Sequence, residues 1–313
     1  MNPQTRPDEL DLSFPLSGKF LFPKEAKIAL QLARVRPRPL LVVGEAGVGK
    51  SQLALALAEQ WGVPCLKFVV QSTTQAEELM WRFDAVQRLA EAQVLGASGC
   101  KPEEVADKLK LERFVQPGVL WWASNWEHAK KHVEDHTVQN SATPQSPEDW
   151  TPKKGCVVLI DEIDKATADV PNNLLDVLDT GTITLPTGER VERQGTPPLI
   201  VITSNGDRDL PAPFLRRCYV LHLDFPKDKP EEWLMERARA HFNKEQLADE
   251  VIKAAAQQIL KDRVDVCNTH YNPGVSEYLD LLYAVKDLAI TEEDQINKLK
   301  ELGPFVLKRS LRS

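Results

Sequence analysis

Residues 44–51 have the types and spacing needed to hold phosphate. They match the pattern G-x-x-x-x-G-K-S/T and are Gly44, Glu45, Ala46, Gly47, Val48, Gly49, Lys50 and Ser51. Glycines let the backbone curl until its N–H groups face the phosphates, and a helix that begins near Lys50 adds a favourable dipole. We therefore expect this loop, with Gln52 next to it, to bind a nucleotide. Lys50 would contact the β- and γ-phosphates, and the Ser51 hydroxyl would ligate Mg²⁺.

Two adjacent carboxylates follow an apolar run at residues 157–160. A buried strand would carry Asp161 and Glu162 to its carboxyl end, which is where open α/β sheets bind ligands. Asp161 is suited to the magnesium shell, and Glu162 is suited to orient and deprotonate an attacking water. Two neighbouring carboxylates could instead be a helix cap or a solvated turn. Asp164 and Lys165 lie further along, and we expect them at subunit contacts.

Two further groups of polar residues come after apolar or turn segments. Asn205 follows the apolar run 199–203 and could hydrogen-bond the γ-phosphate or the attacking water, although turns favour Asn for other reasons. Arg216 and Arg217 precede the last apolar run. An arginine pair is most often a surface charge, but a fixed guanidinium can also neutralise charge in a transition state.

The elements that must position these residues alternate between strand and helix. Short, continuous apolar runs predict five strands buried on both faces, at residues 40–43, 65–70, 157–160, 199–203 and 219–223. Helical spacing predicts helices at 23–34, 51–61 and 172–178. This alternation predicts an α/β fold, a doubly wound, parallel five-stranded sheet of the P-loop NTPase type.

A smaller all-α domain is expected after the sheet. From Pro230 the strand signals end, and helices are predicted at 231–242, 244–262, 276–288 and 292–302. Pro230 suits a first helical turn, and Thr291 suits the cap of the last helix. The predicted organisation is an irregular lead-in at 1–20, a nucleotide-binding domain at 21–228 and a helical lid at 229–313. The middle domain would carry an insertion at about 94–154 and a β-hairpin at about 181–193.

Composition limits the partners that fit this chain. The 313 residues are 42% hydrophobic, enough for an ordinary core, and the formal net charge is −7. A protein with that charge has no overall positive field for a phosphate backbone, which makes nucleic acid an unlikely partner. The five cysteines are far apart, which fits a reducing cytoplasm better than a disulfide framework or a zinc site. No apolar stretch is long enough to span a membrane.

The motifs and their order along the chain resemble those of AAA+ ATPases. The residues within the motifs resemble those of the MoxR family of the helix-2-insert clade. The resemblance covers roughly residues 20–310. Its particular matches are Gln71-Ser-Thr-Thr with Trp81-Arg-Phe-Asp-Ala-Val-Gln-Arg-Leu, Leu159-Ile-Asp-Glu-Ile-Asp-Lys, Val201-Ile-Thr-Ser-Asn-Gly and Pro213-Phe-Leu-Arg-Arg-Cys.

The resemblance implies Mg²⁺-dependent hydrolysis of ATP in a homo-oligomeric ring, usually a hexamer, which remodels a partner protein. That partner is often linked to a von Willebrand factor A domain protein. Asn205 would be sensor 1 and Arg217 the arginine finger, with Arg216 as the close alternative. A helix-2 insertion would lie around 72–83 and a hairpin before sensor 1 at about 182–192. In one respect the chain departs from many AAA+ lids, because Gly274-Val-Ser-Glu277 stands where they carry a sensor-2 arginine.

Three other functions fit parts of the pattern. A McrB-like GTPase of DNA restriction would share the Asn-bearing strand and the arginine pair. A clamp-loader-like ATPase would be stimulated by DNA, which the acidic balance disfavours. A scaffold that binds nucleotide without hydrolysis would not need Glu162.

Two aromatic and histidine groups have both a structural and a functional interpretation. His128, His132 and His136 recur every fourth residue and could bind a metal, but their charged neighbours favour an exposed helix face. Two groups of aromatic residues could grip a polypeptide in a central pore: Trp121, Trp122 and Trp126 in the insertion, and Trp81 with Phe83 in the helix-2 region. Packing is the default expectation for aromatic residues at such spacing.

Overall fold

The structure is a computed structural model that describes residues 20–98, 101–265 and 272–307. Contacts between Cα atoms divide the chain into two compact units. The first comprises residues 1–27, 42–56 and 221–313, and the second comprises residues 28–41 and 57–220.

A five-stranded sheet forms the centre of the fold. Its strands are β1 (Leu40–Val43), β2 (Cys65–Val69), β5 (Val157–Asp161), β8 (Leu199–Ser204) and β9 (Tyr219–His222), in the spatial order β2-β5-β8-β1-β9. β5 pairs in parallel with both β2 and β8, with Val157 opposite Cys65 and Leu199. Every residue of β5 is buried, as expected for a strand covered on both faces. The predicted α/β fold with five core strands is confirmed.

One helix precedes the first strand along the chain and another follows it. They are α1 (Lys24–Val35) and α2 (Lys50–Trp61). The bounds of both agree with the predicted helices to within one residue, since apolar residues at helical spacing are buried along each of them, as at Leu30 and Leu57.

The long segment between β2 and β5 is mostly helical. It contains α3 (Glu77–Met80), β3 (Trp81–Phe83), α4 (Ala85–Ala97), α5 (Pro102–Lys108), β4 (Val115–Pro117), α6 (Val119–Ser124) and α7 (Trp126–His136). β3 and β4 pair antiparallel. The predicted insertion at about 94–154 contains β4, but the partner strand β3 lies before its bounds. Buried residues of the insertion include Phe114 and Trp121.

Short elements connect β5 to β9. They are α8 (Asp169–Asn173), α9 (Leu175–Thr180), β6 (Ile183–Thr184), β7 (Arg190–Val191) and α10 (Ala212–Leu215). The single helix predicted at 172–178 is wrong, because the chain forms two short helices that meet at Leu174. β6 and β7 pair antiparallel within the segment predicted to be a hairpin.

Four helices follow the sheet and share one apolar core. They are α11 (Pro230–His241), α12 (Asp249–Asp265), α13 (Val275–Leu288) and α14 (Glu292–Val306), and residues such as Tyr278 and Leu282 are fully buried among them. Pro230 occupies the first turn of α11, and the Thr291 side chain caps α14, both as predicted.

Two helix ends in this group differ from the prediction. α12 starts at Asp249 instead of residue 244, because the side chains of Asn243 and Gln246 bond to each other's backbone N–H and hold a separate turn. α14 continues beyond residue 302 with Pro304 inside it. Tertiary packing of Leu307 against the helical core offsets the hydrogen bond that proline removes.

Candidate functional site

The phosphate-binding pattern forms a loop whose shape depends on glycine. Gly47 and Gly49 have φ angles of +78° and +99°, a region that side chains with a Cβ rarely adopt. A Cβ at Gly44 would lie 2.2 Å from the carbonyl oxygen of Leu223, so that position also requires glycine. The loop conformation therefore explains the spacing of the three glycines.

Lys50 begins α2 and is 7% exposed. Its Nζ donates hydrogen bonds of 2.8 Å to the carbonyl oxygens of Gly44 and Glu45. The ammonium group therefore lies inside the curve of the loop, close to backbone groups that a phosphate would approach. Ser51 follows it in the first turn of the helix.

The two carboxylates occupy the carboxyl end of β5, as the sequence predicts. Asp161 is buried; its Oδ1 accepts a 2.7 Å hydrogen bond from the Thr203 hydroxyl, and its Oδ2 lies 3.2 Å from Lys67 Nζ. The same hydroxyl accepts a 2.9 Å bond from the backbone N–H of Glu162. Thr203 thus orients both residues. The sequence analysis missed the roles of Thr203 and Lys67; the signal available for Lys67 is a charge inside an otherwise apolar strand.

Glu162 has an unusual backbone conformation. Its φ and ψ angles of 62° and 48° are left-handed, which is uncommon for a residue other than glycine and is often seen at functional sites. Its carboxylate lies 2.5 Å from Lys165 Nζ, and this hydrogen bond raises the pKa of the lysine. Lys165 is therefore a local partner of Glu162.

Asp164 holds the loop that carries Asn205. Its side chain is buried, and Oδ2 accepts hydrogen bonds from the backbone N–H groups of Asn205 at 3.0 Å and Asp207 at 3.1 Å. The expectation that Asp164 serves subunit contacts is wrong, since a residue 2% exposed has no surface for a neighbour. Its role is to fix the segment after β8.

The arginine pair lies after α10, and its two members differ. Arg217 Nε bonds Asp179 Oδ2 at 2.6 Å, and Nη1 bonds the carbonyl oxygen of Pro213. Arg216 is exposed, and no ion pair is recorded for it within the described residues. Arg216 therefore presents its charge to solvent, whereas Arg217 is engaged within its own chain.

Asp161 and Ser51 have the chemistry that Mg²⁺ prefers. A carboxylate and a hydroxyl are hard oxygen ligands, and magnesium commonly takes one or two such groups and completes its shell with water and phosphate. Among the described residues, no group of three or more His, Cys, Asp and Glu side chains could hold a metal ion. Each residue by itself offers oxygen chemistry that suits magnesium, and their joint ligation of the ion stays a prediction.

The histidines of α7 do not form a metal site in the described part of the chain. The expected exposed face is wrong for His132, which is buried, lies 2.9 Å from the Val115 carbonyl and has a pKa lowered by burial. His128 lies 3.0 Å from Glu189 and accepts a hydrogen bond from the indole of Trp121. His132 is therefore part of the packed interior, whereas His128 and His136 are partly exposed.

The tryptophans of the insertion belong to its core. Trp121, Trp122 and Trp126 are at most 8% exposed, so packing is confirmed and a gripping role for these three is wrong. Trp81 and Phe83 are partly exposed, and the Trp81 indole donates to the Thr184 carbonyl. A pore role for that second group stays a prediction.

Comparison with known proteins places the chain in a family. The family model described as AAA domain (Cdc48 subfamily) matches residues 87–253, which is more than half of the chain. Similar proteins include the chaperone protein ClpB of Mycoplasma pneumoniae, 26% identical over 73% of this chain and 24% of its own length. ClpB 1 of Synechocystis is 29% identical over 75% of this chain and 22% of its own length.

The chain spans only about a quarter of the length of these ClpB relatives. A shorter match, to the ATP-binding subunit ClpC of a Clp protease of Staphylococcus saprophyticus, is 34% identical over 36% of this chain and 14% of the relative. Among solved structures, a mutant of RuvB from Thermotoga maritima is similar with a TM-score of 0.48 and 16% identity, covering 89% of this chain and 68% of RuvB. Within the described residues, no helix is both long and apolar enough to cross a membrane.

Proposed function

Since this chain belongs to the AAA domain (Cdc48 subfamily) family, we propose that it hydrolyses ATP in a Mg²⁺-dependent reaction. The observation that carries the proposal is the arrangement at the end of β5. There a buried Asp161 and a left-handed Glu162 are both held by the Thr203 hydroxyl. The Asp161 carboxylate contacts Thr203 and Lys67, whereas the Glu162 carboxylate contacts Lys165. The separate partners support separate tasks for the two acids, a metal ligand and a general base.

Each residue has a distinct task in this proposal. The loop N–H groups and Lys50 bind the phosphates. Ser51 and Asp161 would hold a magnesium ion, which would supply positive charge beside the phosphate oxygens. Glu162 accepts the proton of the attacking water as its oxygen bonds the γ-phosphorus and the bond to the ADP oxygen breaks. Asn205, fixed by Asp164, orients that water or the γ-phosphate.

A second copy of the chain would complete the site with an arginine. Arg217 is the finger that the MoxR resemblance implies, and Arg216 is the alternative. The exposure of Arg216 and the bond between Arg217 and Asp179 favour testing both. Each Arg→Ala variant is measured alone and mixed with the Glu162→Gln chain. The finger variant should have low turnover alone and regain part of it in the mixture, because the Glu162→Gln chain supplies the arginine to a neighbouring site that has an intact Glu162.

The proposed biological role is that of a MoxR-type ring, in the usual case a hexamer, which remodels a partner protein. The relatives named chaperone proteins support a protein client, and the charge of −7 disfavours nucleic acid. A von Willebrand factor A domain partner and a cytoplasmic location complete the proposal. Three described cysteines, Cys65, Cys156 and Cys218, are free thiols, which agrees with a reducing compartment.

The Glu162→Gln substitution tests the proposal. It removes the base and keeps the side-chain shape, so we expect ATP to bind within a few-fold of the native affinity. We expect turnover to fall by about 10²- to 10⁴-fold. Glu59→Gln, on the exposed face of α2, is the matched control and should leave both quantities unchanged.

Undiminished ATP turnover by the Glu162→Gln chain would refute the assignment of the base. Competition between ATP and GTP separates the proposed ATPase from a McrB-like GTPase. Stimulation by DNA would instead indicate a clamp-loader-like motor. Incubating the Glu162→Gln chain with ATP and measuring mass in solution tests the ring, and the proteins that co-purify with it identify the client.

A further inference from the structure

The first turn of α13 packs directly on the phosphate-binding loop. Ser276 donates from its backbone N–H to the Gly47 carbonyl at 3.1 Å, and its hydroxyl lies 3.3 Å from the same oxygen. A Cβ at Gly274 would lie 2.8 Å from the carbonyl carbon of Gly47. Two glycine backbones are therefore in close contact, and a change in the loop at Gly47 is felt at the start of α13.

A second contact joins the same two segments through side chains. Arg263, near the end of α12, donates from Nη2 to Glu45 Oε2 at 2.7 Å and from Nη1 to the Pro273 carbonyl at 2.7 Å. Its guanidinium also lies 4.0 Å from the centre of the Phe225 ring. The Arg263 side chain is only 15% exposed, so this position is defined by three partners. One guanidinium thus links a loop residue to the residue before Gly274.

Glu45 is also held from the other side. Lys50, the lysine proposed to bind phosphate, donates to the Glu45 carbonyl at 2.8 Å. The contacts from Lys50 to Glu45, from Glu45 to Arg263 and from Arg263 to Pro273 form a continuous chain. The last residue of this series, Pro273, precedes Gly274, which contacts the loop at Gly47.

We propose that Arg263 is a positioning residue that couples phosphate binding in the loop to the start of α13 through Glu45. This inference rests on the proposed function. Charge-assisted hydrogen bonds to phosphate are stronger than those to a neutral carbonyl, so a nucleotide draws Lys50 from Glu45. The Glu45 carboxylate then shifts against Arg263, and Arg263 transmits the shift to Pro273 and Gly274. The first turn of α13 has no arginine, although many AAA+ lids carry a sensor-2 arginine there. In this proposal the arginine that connects the loop to α13 comes from α12 instead.

Hydrogen exchange of the backbone amides at 275–279 tests the coupling, measured with and without ADP and the ATP analogue AMP-PNP. In the native chain we expect nucleotide to change the exchange of these amides by about fivefold or more. In Arg263→Gln and Glu45→Gln this nucleotide-dependent change should fall severalfold, to the part that passes through the direct contact between Ser276 and Gly47. Arg263→Lys keeps the charge but not the fork that reaches both partners, and it should retain only part of the change.

Two controls separate coupling from a loss of structure. Arg239→Gln breaks another ion pair of the helical group, that with Asp249, and should leave the nucleotide-dependent change intact. The Glu45→Gln, Arg263→Gln double variant should match either single variant, because both act through one contact.

The outcomes distinguish this inference from the proposed function. If the native chain binds nucleotide and Arg263→Gln keeps the full change in exchange, the coupling is refuted while the ATPase proposal stands. Additive effects in the double variant would also refute it. If the native chain binds neither nucleotide, both proposals fail together.

Discussion

The phosphate-binding loop and the carboxylate edge of β5 reach defined geometry in different ways. In the loop, backbone conformation does most of the work, since Gly47 and Gly49 take positive φ angles and Gly44 lies against the backbone at Leu223. At the carboxylate edge, side chains from separate strands hold one another. Thr203 on β8 and Lys67 on β2 both contact Asp161 on β5.

The difference shows which substitutions should disrupt the geometry of each region. A side chain added at Gly44 meets main-chain atoms that cannot rotate away, and one added at Gly47 or Gly49 is strained by the positive φ angle. A network of side chains loses one partner at a time, and the loss depends on how deeply that partner is buried. The comparison would be contradicted if a glycine substitution in the loop were tolerated, or if loss of one side chain at the end of β5 unfolded the protein.

The largest effect is expected from Gly44→Ala. The new Cβ would meet the Leu223 carbonyl oxygen at 2.2 Å, so the strand ends must separate. We expect a loss of about 3 kcal/mol in the free energy of unfolding, measured by urea denaturation. The control is Gly96→Ala in α4, where a Cβ meets nothing within 4 Å. That change should stabilise the chain by about 0.5 kcal/mol. Equal stability of the two variants would show that backbone contact does not constrain the loop.

Thr203→Val should have an intermediate effect. Valine keeps the shape but leaves the Asp161 carboxylate and the Glu162 N–H without their shared partner. We expect a loss of about 1–3 kcal/mol in unfolding free energy. We also expect ATP turnover to fall by about tenfold or more, because the two carboxylates lose their orientation.

Thr203→Ser is the matched variant, since it retains the hydroxyl. It should recover most of the turnover that valine removes. A serine variant as slow as the valine variant would mean that the methyl group, and not the hydrogen bonds, matters at this position.

The smallest effect is expected from Lys67→Gln. The Lys67 side chain is 43% exposed, so its 3.2 Å ion pair with Asp161 is screened by solvent. We expect the unfolding free energy to change by less than about 1 kcal/mol, and by less still at high salt. Lys130→Gln on α7, whose pair with Glu134 spans 3.9 Å, serves as an exposed reference. A loss as large as that of Thr203→Val would show that Lys67 belongs to the essential network.

Much of the fold was predictable because apolar runs and glycine patterns are local signals. All five core strands lie within one residue of their predicted bounds. Burial on both faces holds for the inner strand β5 but is wrong for the edge strands β2 and β9, where Val69 and Val220 are exposed. The errors fall where local and tertiary preferences conflict. The helix predicted at 172–178 divides at Leu174, and His132 is buried although its neighbours are charged.

The sequence alone determined the phosphate-binding loop, the five core strands and the place of the two carboxylates. Each depends on residue types at a short spacing and on the backbone conformations that those types allow. Only the tertiary structure decided that Thr203 joins Asp161 to Glu162, that Asp164 holds Asn205, and that Arg263 reaches Glu45. Those partners are 41 to 218 residues apart. Contacts at such separations depend on how whole elements pack, which no local pattern records.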